Sequence, residues 1–75
     1  MKEDVKRYAD LRVVAILATE MERELAKAYT YLRHAVGREE AENRTSEVDL
    51  NIQELKNWIY EQLNETMAKL KEEDE

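Results

Sequence analysis

Apolar residues recur every three or four positions along the first half of this chain, at Leu11, Val14, Ala18, Met21, Leu25, Ala28, Leu32 and Ala35. That spacing marks one face of an α-helix that packs on a second helix. No glycine or proline interrupts Lys2 to Val36, and Gly37 stands where the left-handed residue after a helix belongs. The pattern predicts a single helix over residues 3–36. A second stripe follows at Val48, Ile52, Leu55, Ile59, Leu63 and Leu70, with Thr66 on the same line. Its intervals approach an 11-residue repeat, as in a nearly straight helix.

Between the stripes, residues 38–46 are polar and read as part of a connection spanning 37–46. Ser46, with Asp49 three residues on, resembles an N-cap, so the second helix is expected over 47–71. The acidic tail 72–75 lies at the negative end of the helix dipole and is expected to fray. The fold class is therefore all-α, one antiparallel helical-hairpin domain over 1–75. Matching stripe to stripe pairs Ala35 with Val48, Leu32 with Ile52, Ala28 with Leu55, Leu25 with Ile59, Met21 with Leu63, Ala18 with Thr66 and Val14 with Leu70. Every index sum is then 83 or 84, and residues 1–10 overhang.

One hairpin leaves apolar residues uncovered. Ala9, Val13, Ile16 and Leu17 lie off the seam of the first helix, and Leu50 and Trp58 off that of the second. A cluster of this size is expected to be a self-association interface, giving a homodimeric four-helix bundle with coiled-coil-like packing. Size points the same way. A chain of 75 residues without cysteine has neither a large core nor disulfides to stabilise it.

Composition narrows the functions. Charged residues reach 40%, proline, cysteine and phenylalanine are absent, and the formal charge is −6. Residues 1–36 hold seven Lys/Arg against six Asp/Glu, whereas 37–75 hold five against twelve. That excess of acid disfavours nucleic acid and anionic membranes, and favours another protein as partner. The apolar run Leu11–Ala18 is too short to span a bilayer, and acidic residues precede it where a secretory signal is basic. A cytoplasmic location is the expectation.

Candidate chemistry is sparse. His34 is the single histidine, and no hydroxyl sits in a nucleophile motif, so the chain reads as a non-enzyme. Alternating Ala and Leu in the seam leave little room for a cofactor, and none is expected. The segment from Glu24 through Tyr31 to His34 is similar to the first helix of bacterioferritin-like proteins. That resemblance implies a metal-carboxylate bundle assembled across a dimer, with Glu24 at a bridging position. The chain departs from the family in lacking Glu-x-x-His; its nearest forms are Glu54-x-x-Asn57 and Glu61-x-x-Asn64. Arg12, Arg23 and Lys27 share one helix face, the arrangement of a Rop-like RNA-binding bundle, but without an aromatic stacking platform. A designed scaffold without biological activity is a further alternative. The leading expectation is an assembly, adaptor or regulatory element that self-associates and binds protein, with candidate contacts on the acidic outer face Glu47, Glu54, Glu61 and Glu65, the overhang, and the Tyr31/His34 region.

Overall fold

A computed structural model describes residues 2–73 and places them in two helices, α1 (Lys2–Val36) and α2 (Arg38–Glu73), packed as a hairpin. No strand occurs among the described residues. The body is a slender rod with extents of 57 × 15 × 13 Å.

Gly37 alone joins the helices. Its φ of 94° lies in the left-handed region, and its N–H donates to the carbonyl of Arg33 at 2.9 Å, which closes the last turn of α1. Its own carbonyl accepts from the N–H of Ala41 at 3.1 Å, which opens the first turn of α2. One residue thus serves both as the stop of α1 and as the N-cap of α2. A Cβ built at Gly37 meets nothing within 4 Å, so substitution there acts through backbone conformation alone. Gly37→Ala is expected to lower stability by about 1 kcal/mol, and Gly37→Asn by less, in urea titrations. An alanine variant as stable as the parent contradicts the left-handed link.

The ten-residue connection is corrected: residues 38–46 are helical, and Ser46 lies inside α2. The segment contains no glycine or proline, and it carries the i,i+4 pairs Arg38–Glu42 at 3.0 Å and Glu40–Arg44 at 2.8 Å. Ala41, fully buried, fastens it to α1. Polarity there marked a solvated face, not a break. At the other end α2 continues through Glu72 and Glu73; Asp74 and Glu75, the rest of the expected frayed tail, lie outside the described residues.

The early start of α2 changes the register. Cross-helix contacts link Tyr29 with Glu42, Glu22 with Gln53 and Lys56, and Arg7 with Gln62. Partners on α2 thus fall nearly ten residues earlier than the stripe matching implies, a slide of about 15 Å. The two helices are 35 and 36 residues long and end together, so no ten-residue overhang exists.

The seam of α1 is Asp4, Tyr8, Leu11, Ala15, Ala18, Glu22, Leu25, Tyr29 and Leu32, a strict alternation of four and three. Leu11, Ala18, Leu25 and Leu32 occupy it as the pattern implies. Ala15, Glu22 and Tyr29 replace Val14, Met21 and Ala28, which are exposed, as is Ala35. The helix is therefore turned by about 50° from the expected orientation. The turn brings in groups that bond across the seam: the Tyr29 hydroxyl contacts the Glu42 carboxylate at 3.4 Å, and Gln53 and Lys56 donate to Glu22. On α2, Ile52, Ile59, Leu63, Thr66 and Leu70 face α1, whereas Val48 and Leu55 stand at the edge. Ala18, Ile59 and Leu63 form the tightest cluster, with Tyr8, Leu11 and Ala15 packed against it. Ile59 is the one large side chain wholly buried among the described residues.

Candidate interaction surface

A two-helix rod has two broad sides flanking the seam, and the contacts identify which residues share each. Arg7 donates to Gln62 at 2.6 Å, so these two lie on one side. Seven residues of helix return to nearly the same direction. Val14, Met21 and Ala28 therefore continue the Arg7 row, and Leu55 and Val48 continue the Gln62 row, with Trp58 one turn from Gln62. Leu17 stands beside Val14 and Met21. Val14, Leu17, Met21, Leu55 and Trp58 are all exposed, from 37% at Leu55 to 54% at Leu17. They make a continuous apolar patch near the middle of the rod. Asp10 and Glu24 border it on α1 and Glu54, Glu61 and Glu65 on α2, while Arg7 and Lys69 lie on its rows and Arg44 two heptads before Trp58, every one exposed.

The opposite side carries a groove of about 370 Å³ lined by Tyr8, Arg12, Ala15, Ile16, Tyr60 and Met67, among others. Toward the turn it continues as a second groove of about 640 Å³, between Leu25, Ala26 and Tyr29 of α1 and Glu42, Thr45 and Asp49 of α2. Within the first, the Arg12 guanidinium lies 6.0 Å from the centre of the Tyr8 ring, at the edge of cation–π range.

The six residues expected at a single interface consequently divide. Leu17 and Trp58 belong to the first side; Ile16, and Ala9 one heptad before it, belong to the second. Val13 and Leu50, each two residues from a seam position, project from the backs of their helices, and all six are exposed. Sequence spacing cannot assign a side, because the two sides of a hairpin become distinct only when its register is known.

Two acids that bond across the seam, Glu22 and Glu42, are satisfied. Glu22 accepts from Gln53 and from Lys56, and these bonds, Gln53 first, hold its carboxyl below the usual glutamate range. Arg38 does the same for Glu42, whose carboxylate in turn raises the Arg38 guanidinium. No buried side-chain nitrogen or oxygen lacks a partner among the described residues.

The remaining candidates stand apart from one another. Glu24 is exposed and pairs with Lys27 at 3.2 Å on its own helix. His34 is exposed beside Lys27, Thr30 and Tyr31 on a shallow surface. No group of three or more His, Asp or Glu side chains converges on a metal-sized space among the described residues. Glu54, Glu61, Asn57 and Asn64 are likewise exposed. Arg12 lines the second groove, while Arg23 and Lys27 are engaged with Glu20 and Glu24. No described helix is long and apolar enough to cross a membrane. Searches of protein-family models, curated proteins and solved structures find no match to this chain.

Proposed function

We propose that this protein is a non-enzymatic assembly element: a hairpin that associates with a second copy through the Val14/Leu17/Met21/Leu55/Trp58 side to form a four-helix bundle, which then serves as an adaptor for other proteins. The observation that carries the reading is the exposure of these five large apolar side chains on one side of a chain whose own core wholly buries only one large residue among those described. Water contact with such a patch is unfavourable by about 25 cal/mol per Å², and Trp58 alone can bury some 200 Å². The rod is also the right size. A side of 57 by 15 Å presents about 850 Å² in projection, close to the ~800 Å² per partner of a stable complex.

Assembly through helix sides leaves the acidic backs free. Glu47, Glu54 and Glu61, one heptad apart on α2, are exposed and offer a negative stripe to a basic partner. Sedimentation velocity over a range of concentrations tests the reading. Species of at least twice the 8.9 kDa chain mass are expected at tens of micromolar. A monomer throughout that range overturns it.

A further inference from the structure

We infer that the opposite side of the hairpin, the groove between Ile16 of α1 and Tyr60 and Met67 of α2, is a second self-association surface that receives another copy of this same chain, so that assembly does not close at two copies. The inference rests on the self-association proposed above and extends it to a different surface.

The groove is apolar at its floor and open above. Ile16 is 60% exposed, Tyr60 50% and Met67 40%, although all three belong to a wall continuous with the buried Ala18–Ile59–Leu63 cluster. Covering them requires a body as long and straight as the groove itself. A second hairpin has that shape.

Charge selects the occupant. Along this side α1 carries cations: Arg12 and Arg33, three heptads apart on one row, and near that row Arg23, which also pairs with Glu20 of its own helix. Along the same side α2 carries Asp49 and Glu42, the latter also bound by Arg38, in the half nearest the turn. Glu42 lies level with Arg33, close enough for that arginine to help hold its carboxyl low, and Asp49 faces Ala26, one turn beyond Arg23. A two-fold axis parallel to the helices lays α1 of one copy over α2 of the other at the same level. Arg33 then meets Glu42, Arg23 approaches Asp49, Ile16 meets Tyr60, and Arg12 reaches the Tyr60 ring. A surface that supplies both the cations and the anions its own image needs is the signature of an isologous contact. The perpendicular two-fold instead sets Arg12 against Arg23, which like-charge repulsion disfavours.

The Trp58 side is mixed in charge: Asp10, Glu24, Glu54, Glu61 and Glu65 border it, but Arg7 lies on it and Lys69 and Arg44 continue its α2 rows. The Tyr60 contact, in which opposite charges meet, weakens when salt screens them.

Four versions of the full chain test this by sedimentation velocity, with far-ultraviolet circular dichroism to confirm helicity: the parent, Trp58→Glu, Tyr60→Glu and the double variant, with Ile16→Glu as a second block of the groove. The parent is expected to exceed two copies and to grow with concentration. Each single variant should stop at two copies, and the double variant at one. Raising salt from about 0.05 to about 0.5 M should weaken the Trp58→Glu dimer at least tenfold. A parent that remains at two copies, with Tyr60→Glu and Ile16→Glu indistinguishable from it, overturns this inference and leaves the Trp58 interface standing. A monomeric Trp58→Glu chain also overturns it. A monomeric parent removes both.

Discussion

Replacing Ile59 by alanine is expected to remove about 2–5 kcal/mol of stability, the range for truncating a wholly buried branched side chain. Ile59 sits at the centre of the Ala18–Ile59–Leu63 cluster, where it is 0% exposed. On the α1 side Ala15 and Ala18 bring that helix close, and neither can extend into the space left behind. On that side the cavity should persist. A chain this short has a total stability on the order of 4–11 kcal/mol, so the loss consumes a large part of it. The thermal midpoint should fall by more than about 10 °C, measured at fixed protein concentration because association also shifts it. Leu50→Ala is the control. That residue is exposed on the back of α2, and its truncation should change stability by less than about 0.5 kcal/mol. Equal effects from the two variants contradict the orientation of α2.

Ala41→Glu separates two accounts of the region after Gly37. In a polar connection a glutamate among Glu39, Glu40 and Glu42 is unremarkable and stability is unchanged. In the structure, Ala41 is wholly buried against α1 one turn into α2. The cations one turn to either side, Arg38 and Arg44, are already paired with Glu42 and Glu40, and a carboxylate at this position must push the helices apart or carry its charge into the seam. A loss of about 2–4 kcal/mol is expected in urea titration, with Ala41→Ser much milder. A neutral outcome for Ala41→Glu returns residues 38–46 to a loop.

These two residues illustrate what the sequence made legible. Periodicity located both helices, because apolar side chains at helical spacing have one economical way to leave water. It also picked half of the seam, namely Leu11, Ala18, Leu25 and Leu32 of α1, and on α2 Ile52 with Ile59, Leu63, Thr66 and Leu70. Gly37 was identifiable as a stop from its conformational freedom, and the structure gives it a positive φ. The rest was hidden by polar residues acting as structure. Arg38 to Ser46 looked like a linker because helix signals there are ion pairs and one alanine, which hydropathy does not register. Glu22 was no part of the expected seam because its place there depends on Gln53 and Lys56, 31 and 34 residues away, and Tyr29, beside that seam in sequence, enters it through Glu42 across the turn. With the register displaced, the uncovered apolar residues could be listed but not sorted between the two sides of the rod.

The single-residue link at Gly37 has a kinetic meaning as well. Contacts across the seam lengthen in sequence with distance from it: Tyr29 and Glu42 are 13 residues apart, Glu22 and Gln53 are 31, and Arg7 and Gln62 are 55. Chain closure therefore favours a zipper that starts at the turn, each later rung costing more conformational entropy to reach, by about 1 kcal/mol for a threefold longer loop. Nearest Gly37 the apolar rungs are few, Ala41 and the half-buried Leu32, while the tightest packing lies at the middle of the rod, where Ala18 meets Ile59. Folding of this hairpin must climb through inexpensive contacts of small reward before burial repays it, which places the barrier midway along the rod and makes that middle, not the turn, the arbiter of how fast the chain folds.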